Sequence, residues 1–499
     1  MKIIDKTLEN KVVILTQENE FYKTENSQLK EQLNWLQRQI FGKKSERIVS
    51  NSSEEQLTFE GLENLKTEEE AEEENTPAHK RRKPNRNGQD KIKFPTDIPI
   101  ETTILDISED QKICKKTGLP LVKIGEEITH KLAHKPGSYY IKKIIRPKYA
   151  LPGEGILTAE LPDSIIPRGR ADESLLAEVL TRKFADHLPL YRISEILKRE
   201  DINISRKLLS QWVVRCGIAL KPLRDEMLKQ ILESRNIFVD ETSVTFLEKK
   251  SKSGYLWTIC GGSSADPPYR IYFFKENRKE ENIIEVLKNY HGVLHSDKYS
   301  GYVKLAQNND ITWCPCWAHI RRKFFEAESG DLVFRGWVLD EIQKLFKLEE
   351  KAWLLSEEER LKLRKELEEP IIDELIKKIK DKLIYGNILP KSKLRKALGY
   401  FFSLIPYLKN YLKHPFSRLD NNVAERAIRP IAIGRKNWMF FGSLNGAEAG
   451  SVILSLVQTC RGIGVNPREY LEDIMRRLMS HSFQKIYELL PDQWLQNKS

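Results

Sequence analysis

The chain has 499 residues, 40% of them hydrophobic, which is enough length and apolar content for several domains around a large core. Its 83 Lys and Arg against 72 Asp and Glu leave a formal charge of +11, a balance that favours nucleic acid over a small metabolite as partner. Six cysteines with no secretory segment point to a reducing compartment, and no apolar run approaches the roughly 20 residues that span a bilayer, so a cytoplasmic protein with no membrane contact is expected.

The first 45 residues read as a coiled coil. Leu8, Val12, Leu15, Asn19, Tyr22, Asn26, Leu29, Leu33, Leu36 and Ile40 alternate spacings of four and three, the seam of a heptad repeat, and Asn19 and Asn26 fall where a polar residue fixes register and oligomer number. Homo-oligomerisation through this seam is expected, the alternative being an amphipathic helix packed on the chain's own core. Residues 46–93 swing from the run EEEAEEEN to HKRRKPNRNGQDKIK and bury too little apolar surface to fold, which makes them a charged linker.

Residues 94–160 form a small β-rich unit with short strands over 121–124 and 141–145; His130 and His134 are expected at its surface. The block 170–232 is helical. HLPLYRISEILKRE and RKLLSQWVVRCG make two amphipathic helices across a short turn, with Ser205 as N-cap. That outline is a helix-turn-helix, and the basic residues Arg206, Lys207 and Arg215 on it suit DNA.

From 235 to 450 the pattern changes. Strands over 236–247, 254–260 and 269–274 precede a helix over 279–287 and a fourth strand over 292–296. Asp240 lies on the first strand and Asp297 follows the fourth. A Lys- and Glu-rich helical insertion then covers 331–411, with its carboxylates mostly at the polar positions of amphipathic helices. Beyond it LDNNVAERAIRPIAIGRKNWMFFGS sets Glu425 on a helical run among Asn421, Asn422, Arg426, Arg429, Arg435 and Lys436. Three acids with a basic flank suit phosphoryl transfer on a polyanion, because divalent magnesium or manganese is held by a few carboxylate oxygens. Glu326 in RRKFFEA is the reserve for the third acid. Cys314, Cys316 and His319 in CPCWAH have ligand-like spacing but soft or borderline donors and no evident fourth ligand; buried thiols are expected, with His319, Arg321 and Arg322 facing DNA. His295 shares the strand face of Asp297. Residues 451–499 are helical and expected to cover the sheet.

The strings FVDETSV, SGYLWTI, VLHSDKYSGY, CPCWAHIRRKFFEA and DNNVAERAIRPIAIGRKNWMFFGS, in that order, resemble a transposase of the insertion sequence 66 family, a group of DDE-type transposases. The resemblance runs over nearly the whole length. It implies an α/β multidomain protein with a ribonuclease-H-like catalytic core, in which the first and fourth strands adjoin and bring Asp240 and Asp297 together. It further implies that these two and Glu425 are the catalytic, metal-binding triad for cleavage at element ends and strand transfer. The leucine-zipper-like start belongs to the same likeness, and the partners implied are the terminal repeats, target DNA and accessory proteins of the same element.

The chain departs from the family at the β-rich unit, where two CxxC pairs would build a zinc ribbon. Cys114 remains, Thr117 stands at its partner's position, and Leu151 to Glu154 replace the second pair, so no zinc is expected in this degenerate ribbon. Two other functions stay open on the residues: a ribonuclease-H-like nuclease that cuts without joining, and a DNA-binding regulator derived from a decayed transposase.

Overall fold

The computed structural model describes Phe94 and residues 98–498, apart from 109–111, 114–119, 136, 152–154, 249–252, 262–265 and 309–310. The heptad seam, the charged linker and the ribbon positions Cys114 and Thr117 lie outside the described residues, which fall within one unit spanning 86–499.

Strand β3 (Ser138–Leu151) is the spine of a first sheet. It pairs antiparallel with β2 (Val122–Lys135) along its length, while β1 (Ile100–Ile104, parallel) and β4 (Gly155–Thr158, antiparallel) pair with successive stretches of it. Gly137, at φ 86°, makes the tight turn between Lys135 and Ser138. The strands are longer than the sequence pattern predicts, because charged and polar residues interleave with Ile128, Leu132 and Ala133. His134 corrects a second expectation: it is buried, 4.9 Å from the Tyr139 ring and 3.6 Å from Glu178. Helix α1 (Glu173–Phe184) covers this end of β2, with Ser174 Oγ accepting the His134 amide at 2.8 Å.

Helices α2 (Leu190–Arg199) and α3 (Arg206–Ile231) form the expected hairpin. Ser205 accepts from the Leu208 amide at 3.2 Å, and Ser194 Oγ closes the turn on the Ile204 carbonyl at 2.6 Å. The hairpin is also a wall of the core. Leu220, Leu223, Met227 and Ile231 of α3 are fully buried, and a Cβ at Gly217 would come within 2.4 Å of Ala449 on α12 (Leu444–Gly462).

The second sheet runs β7-β6-β5-β8-β9, where β5 is Asn236–Phe246, β6 Ser253–Gly261, β7 Arg270–Lys275, β8 Val293–Ser296 and β9 Thr312–Pro315; short β10 (Phe440–Phe441) pairs with the far end of β5. Strands β5, β6 and β7 are an antiparallel meander, and β8 returns parallel to β5 after helix α4 (Glu280–Leu287). Their apolar runs are buried on both faces, as parallel pairing under helices requires. Helix α12 closes the β7 edge: Ser455 and Thr459, one turn apart, accept the amides of Tyr272 at 2.8 Å and Arg270 at 3.0 Å.

Helix α5 (Ser300–Asn308) precedes β9, and α6 (Trp317–Phe325) follows it. The insertion then comprises α7 (Leu332–Ala352), α8 (Glu357–Leu363), a π-turn at Arg364–Glu368, α9 (Glu369–Tyr385) and α10 (Lys393–Phe402). Helix α11 (Asn422–Trp438) returns the chain to β5, and α13 (Pro467–Arg477) and α14 (Pro491–Lys498) complete the C-terminal end. No described helix is long and apolar enough to cross a membrane.

Candidate active site

Asp240 and Asp297 stand at matching levels of neighbouring strands. The β5–β8 register pairs Phe238 with His295, so two residues past this last parallel pair come the two aspartates, Asp240 within β5 and Asp297 directly after β8. Each is fixed locally, Asp240 Oδ1 by the Glu241 amide and Asp297 Oδ1 by the Tyr299 amide, both at 2.9 Å.

Glu425 reaches them because the start of α11 is stitched to this strand end. Asn421 Nδ2 donates to the carbonyl of Val239, the residue before Asp240, at 2.9 Å, and Tyr272 Oη donates to the Ala427 carbonyl at 2.6 Å. The start of α6 joins the same junction. Cys316 N bonds Ser296 O at 3.0 Å, and Trp317 N bonds Leu419 O at 3.1 Å.

Charge crowding follows. Burial, then the negative charges of Glu241 and Asp297 and, less, of Glu425, hold the Asp240 carboxyl well above the usual carboxylate range, against the Glu241 amide bond. Burial and Asp297 raise Glu241 as well, opposed by Tyr302 and Arg278. Arg278 Nε donates to Glu241 Oε1 at 2.7 Å with its Nη2 4.0 Å from Asp297, and Tyr302 Oη donates to Glu241 Oε2 at 2.7 Å. Around Glu425 stand His319 Nδ1 at 3.7 Å and Arg322 Nη2 at 3.9 Å. Four carboxylates share few cations, and their all-oxygen donors suit a hard divalent ion.

Sequence reasoning missed Glu241 and Arg278. Glu241 is adjacent to Asp240 in FVDETSV, a signal that was open to view; Arg278, in a loop before α4, carries none. Glu326, the reserve acid, ends α6 as an exposed residue. His295 is buried, stacked 4.5 Å from Phe238, and burial first, then Arg364 and Arg418, lower it to about 3, so it is a neutral packing residue under Asp297.

The residues expected at DNA divide. Arg426, Arg429 and Lys436 are exposed on α11, as are Arg322 on α6 and Arg206 and Lys207 on the first turn of α3. Arg321 is half-buried with its guanidinium 6.0 Å from the Phe325 ring. Arg435 is committed inside the protein, with Nη1 donating to Thr242 Oγ1 at 2.9 Å and to the Ser243 carbonyl at 2.8 Å.

Comparison with known proteins adds to this geometry. Residues 168–449 match the family model described as "Transposase IS66 family", 455–491 the one described as "IS66 C-terminal element", and 28–102 the one described as "Transposase C of IS166 homeodomain". Two proteins of Sinorhizobium fredii (strain NBRC 101917 / NGR234) are similar along most of their length. Uncharacterized protein y4qI is 31% identical over 463 residues, 89% of this chain and 84% of that one; uncharacterized protein y4hP is 30% identical over 492 residues, 92% and 87%.

Proposed function

The chain belongs to the IS66 family of transposases, and from that premise we propose that it is a DNA transposase whose ribonuclease-H-like core cleaves strands at element ends and joins them to target DNA. Asp240, Asp297 and Glu425 are its catalytic acids. The observation that supports this most is the backbone stitching at the sheet's end: adjacent parallel strands align the two aspartates, and Asn421 ties the third acid's helix to Val239.

The donor set fits magnesium or manganese, since a buried aspartate crowded by three other carboxylates lacks compensating positive charge. Bound by Asp240, Asp297 and Glu425, such ions would activate a water or DNA 3′-hydroxyl and offset charge on the leaving 3′ oxygen. The protein's own contribution is placement. Arg322 lies beside Glu425, and exposed Arg426, Arg429 and Lys436 continue along α11; these cations would bind phosphates and fix the strand's register without reading bases. Arg278 holds Glu241 and thereby keeps a neighbouring charge from competing freely with Asp240 and Asp297. Arg206 and Lys207 carry the helix-turn-helix contribution to DNA binding.

The test is strand cleavage and joining on duplexes carrying the element's terminal repeats. Asp240→Asn, Asp297→Asn and Glu425→Gln should each lower cleavage on the order of 100-fold or more, the scale of losing one group that stabilises transition-state charge, with DNA binding kept. Full cleavage by Glu425→Gln together with loss in Glu326→Ala would move the third acid to the reserve position. Cleavage without any joined product would leave a nuclease.

A further inference from the structure

Cys316, His319 and Glu425 place a sulfur, an imidazole nitrogen and a carboxylate oxygen within 4.8 Å of one another. They come from two helix starts brought together. Cys316 is the N-cap of α6 and His319 lies in its first turn, a spacing of three that puts both on one side of the helix; Glu425 lies in the first turn of α11. The backbone bonds from Trp317 to Leu419 and from Cys316 to Ser296 fix the junction, so the grouping does not depend on long mobile side chains.

Two features separate this group from ordinary polar packing. His319 Nδ1 and Glu425 Oε1 are buried and make no hydrogen bond, although they lie 3.7 Å apart. A cation between these two atoms would give each of them the partner it lacks. The Cys316 sulfur, in turn, is an acceptor: the Asn421 amide donates to Sγ at 3.2 Å, and the His319 backbone amide points at it too. Burial pushes the Cys316 thiol up to about 12, and the two amides oppose that burial only in part, so it is a bound cation that would draw off the proton.

The donor chemistry differs from that of the aspartates. Magnesium takes oxygen alone, whereas sulfur, nitrogen and one carboxylate oxygen suit zinc, whose sites with three protein ligands keep a fourth position open. We propose that Cys316, His319 and Glu425 form a binding site for a zinc-type divalent cation, separate from the Asp240 and Asp297 pair and sharing Glu425 with it. Sequence spacing stopped short of this site because it offered Cys314, which is buried elsewhere, and gave no sign that Glu425 approaches from beyond the insertion. On binding, the sulfur–hydrogen bond of Cys316 is replaced by a sulfur–metal bond and its proton passes to solvent. The site stands on its own geometry; only the competition for Glu425, through which zinc would slow magnesium-dependent cleavage, rests on the transposase function.

Cobalt(II) reports such a site directly. The reduced, chelator-stripped full chain, titrated with cobalt, should develop a thiolate-to-cobalt charge-transfer band that saturates in proportion to the chain, disappears with zinc and persists with magnesium. His319→Ala and Cys316→Ala should lose the band, and Glu425→Gln should weaken cobalt binding. Cys314→Ala and Cys114→Ser should retain it. Because Cys316 is buried, the His319 variant, with its fold checked by circular dichroism, carries the decision if Cys316→Ala fails to fold. Asp240→Asn should abolish cleavage yet keep the band, so a failure of the catalytic assignment and a failure of this site are told apart. Absence of the band in the unmodified chain, its survival in His319→Ala, or its loss in Cys114→Ser would each overturn the proposal.

Discussion

At the scale of single residues, Asp240, one of the proposed catalytic acids, works against the fold. The pKa of Asp240 is raised in the folded chain, so between the ordinary carboxylate value of about 4 and that raised value the folded state holds the extra proton, and stability falls as pH rises through the window. Above it the whole penalty applies. Asp240→Asn should therefore raise the melting temperature of the metal-free protein at neutral pH, and the gain should vanish below the ordinary carboxylate range. A destabilised Asp240→Asn protein at neutral pH would mean that the carboxylate is already compensated. The basic residues on α11 separate in the same spirit. Arg426→Ala, Arg429→Ala and Lys436→Ala should each lower the slope of log affinity against log salt by about 0.9 where the side chain meets a phosphate, leaving the melting temperature unchanged. Arg435→Ala should instead destabilise the fold, because its guanidinium bonds Thr242 and Ser243 on β5.

Among the elements, the insertion determines where the third acid's helix begins. Arg364, fully buried in the π-turn, pairs with Glu349 through two bonds of 2.6 and 2.8 Å and donates to the carbonyls of Tyr411, His414 and Ser417. Those carbonyls lie on the segment that runs to Asn421. Glu368, raised to about 8 by burial and then by the Glu349 charge, accepts from Tyr411 Oη at 2.7 Å in the same core. Arg364→Met leaves Glu349 buried without its partner and should cost about 3–5 kcal/mol in chemical denaturation, with Glu349→Gln in the same chain recovering part of it. Cleavage should fall along with it, since the carbonyls that lead to Glu425 lose their common donor. An unchanged denaturation midpoint would show that the network is dispensable. None of this was legible in the sequence: Arg364 and Glu349 look like any charges on a Lys- and Glu-rich helix. The strands β5 to β8 were legible, because burial on both faces leaves apolar runs such as IFV in β5, YLW in β6 and IYFF in β7 without polar interruption. His134 was not, because a histidine in a charged strand gives no sign of the helix that will cover it.

For the whole molecule, the basic excess and the sequence of residues 8–40 bear on one requirement of the proposed reaction: two element ends would have to be held together before either is joined to target. A heptad seam buries its apolar stripe only against another helix, and Asn19 and Asn26 within it would fix the number of strands. Leu15→Glu with Leu29→Glu puts two carboxylates at seam positions of the sequence, where a paired coiled coil would set each against apolar partners, while the residues around Asp240, Asp297 and Glu425 are untouched. Light scattering on the full chain should then report a smaller assembly. Capture of two DNA ends in one complex should weaken, and cleavage of a single end should persist, because the three acids belong to one chain. If mass in solution and end pairing both match the unmodified protein, the seam packs within its own subunit and the pairing of ends must come from another surface of the molecule.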